Sequence, residues 1–247
     1  MNKFFTMLKI ELKLSIRGMD MVIFALCMPL VMVLILGAIY GDQPAFDGAG
    51  YTFMEQSFGA ISTIAICAGG VMGLPLVISD YRQKKILKRY QVTPGSPTLL
   101  LGVQVAIYTI YALFSLILVY LTATLFFHVH FSGSLPMFLL AYFLVLLSIF
   151  SIGMMVGGVA RDVKTASVAA CVLYFPMLIL SGATLPYEVM PAALQKIADL
   201  LPLTQGIKLL KAAALGLNAE IVWVPFLVML GLMIVCGGIA IRFFKWE

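Results

Sequence analysis

Few side chains in this chain are equipped for chemistry, and their spacing excludes more than it offers. The two histidines, His128 and His130, lie two positions apart with no third ligand in sight, so a structural turn is expected there and not a metal site. Cys27, Cys67, Cys171 and Cys236 form neither a CxxC pair nor a Cys/His cluster and read as small apolar packing residues. There is no GxxxxGK[ST] loop to cradle a nucleotide's phosphates, and neither HExxH nor GxSxG occurs. No catalytic set is visible, so the chain is expected to be neither an ATPase nor another enzyme by itself, and to hold no metal. What stands out is a basic run, Arg82-Gln83-Lys84-Lys85-Ile86-Leu87-Lys88-Arg89, ended by the turn residues Thr93-Pro94-Gly95-Ser96-Pro97. In a helix, Ile86, Leu87 and Tyr90 share a face at i, i+1 and i+4. An apolar face ringed by charge suits docking: apolar side chains fill a groove and the charges orient the partner. A plain positively charged flank is the competing reading.

The elements around that run are set by composition. Of 247 residues, 62% are hydrophobic and only 11% charged, against about a quarter charged in a typical soluble domain. Uncharged runs reach the roughly 20 residues that a helix needs to cross a bilayer. They cover about 21–40, 58–78, 99–127, 137–159, 165–181 and 221–241. A transmembrane barrel would show short alternating segments instead. Between Arg89 and Arg161 no Asp, Glu, Lys or Arg occurs, which leaves room for two spans with His128–Ser134 as the turn. Pro75 is expected to kink the second span. The fifth run is short, at about 25 Å for 17 residues, and contains Pro176. No carboxylate is expected within a span, which disfavours a relay of protons through buried acids. The expected architecture is all-α: one transmembrane domain over 1–247, with six transmembrane helices.

Residues 1–20 are mixed. As a helix they place Phe4, Phe5, Leu8, Leu12 and Ile16 on one face and Lys9, Lys13 and Arg17 on the other, as in an amphipathic helix lying in the membrane interface. If six spans alternate, the side holding both termini carries 13 of the 16 basic residues, and the other side holds only Lys196, Lys208 and Lys211. Both termini are therefore expected in the cytoplasm, in a multi-pass protein of the cell membrane. The net charge of +5 does not call for nucleic acid, because the cations flank the spans. Gly37/Gly41, Gly69/Gly73 and Gly153/Gly157 have the spacing that lets helices approach closely, and one of the three pairs is expected at a tight contact. Tyr108 and Tyr111 read either as packing residues or as the lining of an amphipathic path, with Tyr120 closer to an interfacial belt.

The order of these features resembles the ABC type-2 exporter permeases: amphipathic N-terminus, two spans, basic segment, four more spans. Members often carry a Leu followed by a Thr/Ser-Pro before the third span, here Leu87 to Thr93-Pro94. A second match is Leu180-Ser181-Gly182-Ala183-Thr184-Leu185-Pro186, then Met190-Pro191 and Leu200-Leu201-Pro202-Leu203-Thr204. Many members have Glu residues and a Gly-Thr after the second span, where this chain has Tyr81, Gln83, Lys85 and Ile86. The resemblance implies a permease subunit of an ATP-driven exporter of a drug, antibiotic, lipid or glycan. Two copies of a separate ATPase would hold ATP and Mg, and a second permease chain would complete the pathway. It also implies that residues 79–98 form a coupling helix on the ATPase, and that 182–220 form a re-entrant segment, with Pro176, Gly182, Pro186 and Pro191 as breakers. A non-transporting membrane scaffold or assembly factor is the alternative.

Overall fold

Uncharged apolar stretches of this length fold as helices because a helix satisfies its backbone polar groups within its own segment, which lipid cannot do. The structure, a computed structural model, describes residues 3–41, 43–46, 48–91, 96–185, 187, 190–217 and 222–243, with backbone only at Tyr90, Gln91 and Phe243. In chain order the helices are α1 (Lys3–Gly18), α2 (Asp20–Tyr40), α3 (Phe53–Gln83), α4 (Ile86–Gln91), α5 (Pro97–Phe127), α6 (Leu135–Val159), α7 (Val163–Leu180), α8 (Ala192–Ala198), α9 (Pro202–Leu215) and α10 (Trp223–Phe243). Six of them, α2, α3, α5, α6, α7 and α10, are long and apolar enough to cross a membrane. There is no strand among the described residues, only an isolated antiparallel bridge between Pro44 and Thr52.

The largest departure from expectation is the second span, which runs five residues further at each end than its apolar run. A capping box extends its start: Thr52 Oγ1 accepts from the Glu55 amide at 3.2 Å, and Glu55 accepts from the Thr52 amide at 2.9 Å. Carboxylates therefore do occur on this spanning helix, Glu55 in its first turn and Asp80 in its last. The expectation of none is corrected to none away from the ends. Asp42 and Asp47 of the preceding acidic loop lie outside the described residues. Asp162 caps α7 through the Thr165 amide at 2.7 Å. Pro176 sits inside that 18-residue helix without ending it.

Two prolines are accommodated in another way. A proline clashes with the carbonyl four residues earlier and leaves it unbonded. In α2 a π-helical turn, Ile23–Cys27, ends just before Pro29, and in α3 a second, Ala68–Gly73, ends just before Pro75. The wider turn absorbs the proline, so α3 continues for eight residues beyond it.

The core centres on α3, where every residue of Phe53–Cys67 except Glu55 is buried. It packs against α2, α5, α6, α7 and α9, and α10 closes the bundle against α6 and α9. Small residues set the approach. A Cβ at Gly153 would collide with the Gly70 carbonyl, and one at Gly157 would come within 3.0 Å of Pro75 Cα. Gly69 and Gly73 instead seat the ring of Tyr108, with a Cβ at Gly73 only 2.8 Å from it. Gly37 lies under the ring of Phe127. Side-chain bonds add register: Tyr142 donates to the Ala112 carbonyl and Ser148 to the Met229 carbonyl, both at 2.8 Å. α1 lies against α5 through Phe4, Met7, Leu8 and Leu12, while Phe5 and Ile16, expected on the same face, are exposed.

Candidate functional site

The end of the bundle that holds α4 is built on the last turn of α3. Lys84 closes that helix through the Asp80 carbonyl at 2.9 Å, and Lys85, at φ +56°, reverses the chain into α4. α4 packs against α5 and the end of α3, and Leu87 is 0% exposed. Ile86 is half-buried, and Lys84, Lys85, Lys88 and Arg89 are exposed. The apolar residue expected to face a partner is thus packed into its own chain, and the outward surface is cationic. The Tyr90 side chain, Thr93 and Pro94 lie outside the described residues.

Arg82 does not share that surface. It is 8% exposed, and its guanidinium donates to the carbonyls of Gly157 (3.1 Å), Gly158 (3.0 Å) and Ala160 at the C-terminus of α6. Those carbonyls have no partner within the helix, and a cation at that pole is electrostatically favoured. The side chain of Gln83 accepts from the Val163 amide at 3.4 Å, at the start of α7. Adjacent residues of α3 therefore hold both sides of the α6–α7 link.

Beside this junction lies a cavity of about 620 Å³ between α1, α2, α3, α5 and the first residue of α7. Its wall holds a three-residue network. Tyr81 donates to Glu11 at 2.7 Å, and Gln104 donates to Glu11 at 3.0 Å and to Tyr81 at 2.6 Å. Tyr108 lines the cavity one helical turn from Gln104, as do Asp20, Asp80 and the apolar Phe24 and Met72. Tyr111 does not reach it and donates to Ser15 at 3.2 Å, fastening α1 to α5.

At the opposite end, α7 stops at Leu180 and Gly182, at φ +95°, turns the chain. Pro186 lies outside the described residues, and Pro191 occupies the position before α8. Asp199 accepts from Lys208 at 2.6 Å and from Tyr187 at 2.9 Å, and the Lys208 ammonium sits 4.8 Å from the Tyr187 ring centre. Desolvation pushes the Asp199 carboxyl upward, but the Lys208 and Tyr187 hydrogen bonds outweigh it and hold the group below its ordinary value. Desolvation raises the Tyr187 phenol, and its bond to Asp199 adds to that.

Glu11, Asp20 and Gln104 escaped sequence reasoning. Glu11 is the only carboxylate before Asp20 in a basic segment, and Gln104 is the only side-chain amide of the third span. Gln104, Tyr108 and Tyr111 recur at i, i+4 and i+7, so a polar stripe on one helix face was there to be read.

Comparison with known proteins places this architecture. A family model described as ABC-2 type transporter matches residues 2–215. The inner membrane transport permease YhhJ of Escherichia coli (strain K12) is 34% identical over 101 residues, and so is its counterpart in Shigella flexneri. In each case the match takes in 40% of this chain and only 27% of the relative.

Proposed function

Because the chain belongs to the ABC-2 type transporter family, we propose that it is the transmembrane permease subunit of an ATP-driven exporter, carrying a hydrophobic or amphipathic substrate across the cell membrane. The family match supports this reading most directly, since it takes in every helix except α10. ATP and Mg²⁺ belong to a separate ATPase, two copies of which serve two permease chains, either identical or related. Both termini and α4 face the cytoplasm, in keeping with the excess of basic residues on that side. Membrane lipid surrounds the outer faces, and nucleic acid has no part. Residues 182–220, with the short helices α8 and α9, form the re-entrant segment at the far side.

The geometry around Arg82 supplies a mechanism. The ATPase engages the exposed cations Lys84, Lys85, Lys88 and Arg89. Leu87 fixes α4 to the body of the chain, so a push on α4 moves the end of α3. Arg82 and Gln83 pass that displacement to the α6–α7 link, and alternating access follows from the packed helices shifting between two arrangements. The cavity lined by Tyr108 is the substrate's entry.

The test is co-purification of the ATPase with the full chain, followed by ATPase assays in vesicles with and without amphipathic compounds. An ATPase that co-purifies and is stimulated by a compound supports the exporter. A chain that never captures an ATPase is a scaffold or assembly factor instead.

A further inference from the structure

The cavity beside α4 has a charge opposite to that of its surroundings. Lys9, Lys13 and Arg17 on α1 and Lys84, Lys85, Lys88 and Arg89 around α4 are all exposed at this end. Yet among the described residues the cavity wall contains Glu11, Asp20 and Asp80 and no lysine or arginine. The exposed cations lie outside the cavity lining, whereas the half-buried Glu11 and Asp80 and the exposed Asp20 at its mouth belong to it.

The carboxylates differ in how they are satisfied. Asp80 is paired with the exposed Lys84 at 2.8 Å. Glu11 is half-buried and held by two neutral donors, the Tyr81 phenol and the Gln104 amide. Asp20, in the first turn of α2, makes no ion pair among the described residues. Two carboxylates therefore border the same space without an ion pair among the described residues, and the half-buried Glu11 is the one that the apolar wall partly shields from water.

A second observation also points to an occupant. Tyr108 is 3% exposed and lines the cavity, but its hydroxyl makes no hydrogen bond among the described residues. The buried Tyr142 hydroxyl finds a backbone carbonyl and that of Tyr111 finds Ser15, while Tyr174, like Tyr108, has none among the described residues, but it does not line this cavity. The Tyr108 ring is fixed on Gly69 and Gly73, so its hydroxyl cannot readily turn elsewhere. Most of the remaining lining is apolar and soft, including Leu14, Met21, Phe24, Met72 and Leu76. A volume of about 620 Å³ lies within the roughly 300–1,000 Å³ range of small-molecule sites.

We infer that this cavity binds an amphipathic organic cation: the apolar body lies against Phe24 and Met72, and the positive centre lies between Glu11 and Asp20 beside the Tyr81 and Tyr108 rings. Aromatic faces and carboxylates together select for positive charge, because the ring quadrupole and the anions attract the same group. The methionines let the apolar part vary in shape. This inference rests on the exporter reading and names the substrate class for the same cavity.

The test separates the two. Binding of tetraphenylphosphonium to the purified full chain in nanodiscs, without ATPase, is compared with that of an uncharged tetraaryl compound of matched size. The cation is expected to bind at least about tenfold more tightly, a difference of about 1.4 kcal/mol. Asp20→Asn and Glu11→Gln should each remove most of that preference, and Tyr108→Phe should weaken binding severalfold, with unchanged helical content by circular dichroism. Phosphatidylethanolamine in the nanodisc tells whether the cation also arrives as a lipid headgroup: competition assigns the lipid amine to the same site, and no competition leaves the free cation as ligand. Equal binding of the neutral compound, or an unchanged preference in both Asp20→Asn and Glu11→Gln, overturns the inference while leaving the exporter reading intact. Cation binding with no ATP-driven uptake in the presence of the ATPase overturns the exporter reading and leaves the site standing.

Discussion

At the end of the bundle that carries α4, a buried guanidinium binds three backbone carbonyls of another helix; at the far end, Lys208, Asp199 and Tyr187 meet near the surface. Both are hydrogen-bonded charge clusters, but they do different work. Arg82 is 8% exposed and satisfies groups that have no alternative partner, so its bonds are worth much more than their number suggests. The side chains of Lys208 and Asp199 are 36% and 41% exposed, and water competes for each of their bonds. The first end is a rigid joint suited to passing on force. The second is a local tether for the segment between α7 and α9, and it can open without disturbing the core.

Predictions that break this contrast are ordered by size. Leu87→Asp places a charge where α4 has no access to water, and about 3–5 kcal/mol of stability should be lost. Thermal unfolding in detergent should show it, with Leu87→Met close to wild type. A stable Leu87→Asp protein that merely failed to bind an ATPase would mean that the residue faces the partner after all. Arg82→Ala should cost about 2–3 kcal/mol, since three C-terminal carbonyls of α6 lose a charged donor. Arg82→Lys should recover less than half, because an ammonium cannot reproduce the guanidinium fork. In a reconstituted complex both variants should uncouple ATP hydrolysis from transport more than they weaken ATPase capture.

The other end should respond weakly. Lys208→Met is expected to change stability by no more than about 1 kcal/mol, and hydrogen exchange should rise around Tyr187–Asp199 with the core unaffected. Acidification sharpens the point. The folded Asp199 carboxyl titrates below its unfolded value, so its contribution is complete above about pH 4 and lost as pH falls through the lowered folded value. Exchange around Tyr187 should therefore increase on acidification below about pH 4, with a smaller response in Lys208→Met. An equal increase across α3 would mean that the two ends are not energetically separate.

How far the sequence could be read follows from which forces were local. The six spanning helices are visible as uncharged runs because lipid leaves no other way to satisfy the backbone. Their ends were less visible: the Thr52–Glu55 capping box lies in polar residues that look like a loop, and it lengthened α3. The basic run around α4 was plain, but the different fates of its members were not. Arg82 and Lys84 are two residues apart, yet one is clamped to a helix more than seventy residues later in the chain and the other is exposed to water. Likewise Gly153 and Gly157 announce a close contact without naming Gly70 and Pro75 as its other side. The cavity needed residues from five helices, and of its lining only Tyr108 was expected to face a path. Pairings across the chain depend on how the helices assemble, and no local pattern carries that information.

The π-helical turn at Ala68–Gly73 has a consequence for the phase of α3. Such a turn amounts to one extra residue in a helix of 3.6 residues per turn, so everything after it is rotated by about 100° relative to what comes before. Neighbouring glycines within the turn serve different helices: Gly69 meets Tyr108 of α5, while Gly70 meets Ile149 and Phe150 of α6. The rotation sets the azimuth of Tyr81 and Arg82, which lie beyond the turn and reach different partners, Glu11 of α1 and the end of α6. Forcing 68–73 into a regular helix at unchanged length would swing both side chains away from those partners, whereas deleting one residue there would remove the wide turn and leave them facing the same way. The wide turn is thus part of the joint, as much as the identity of any residue in it.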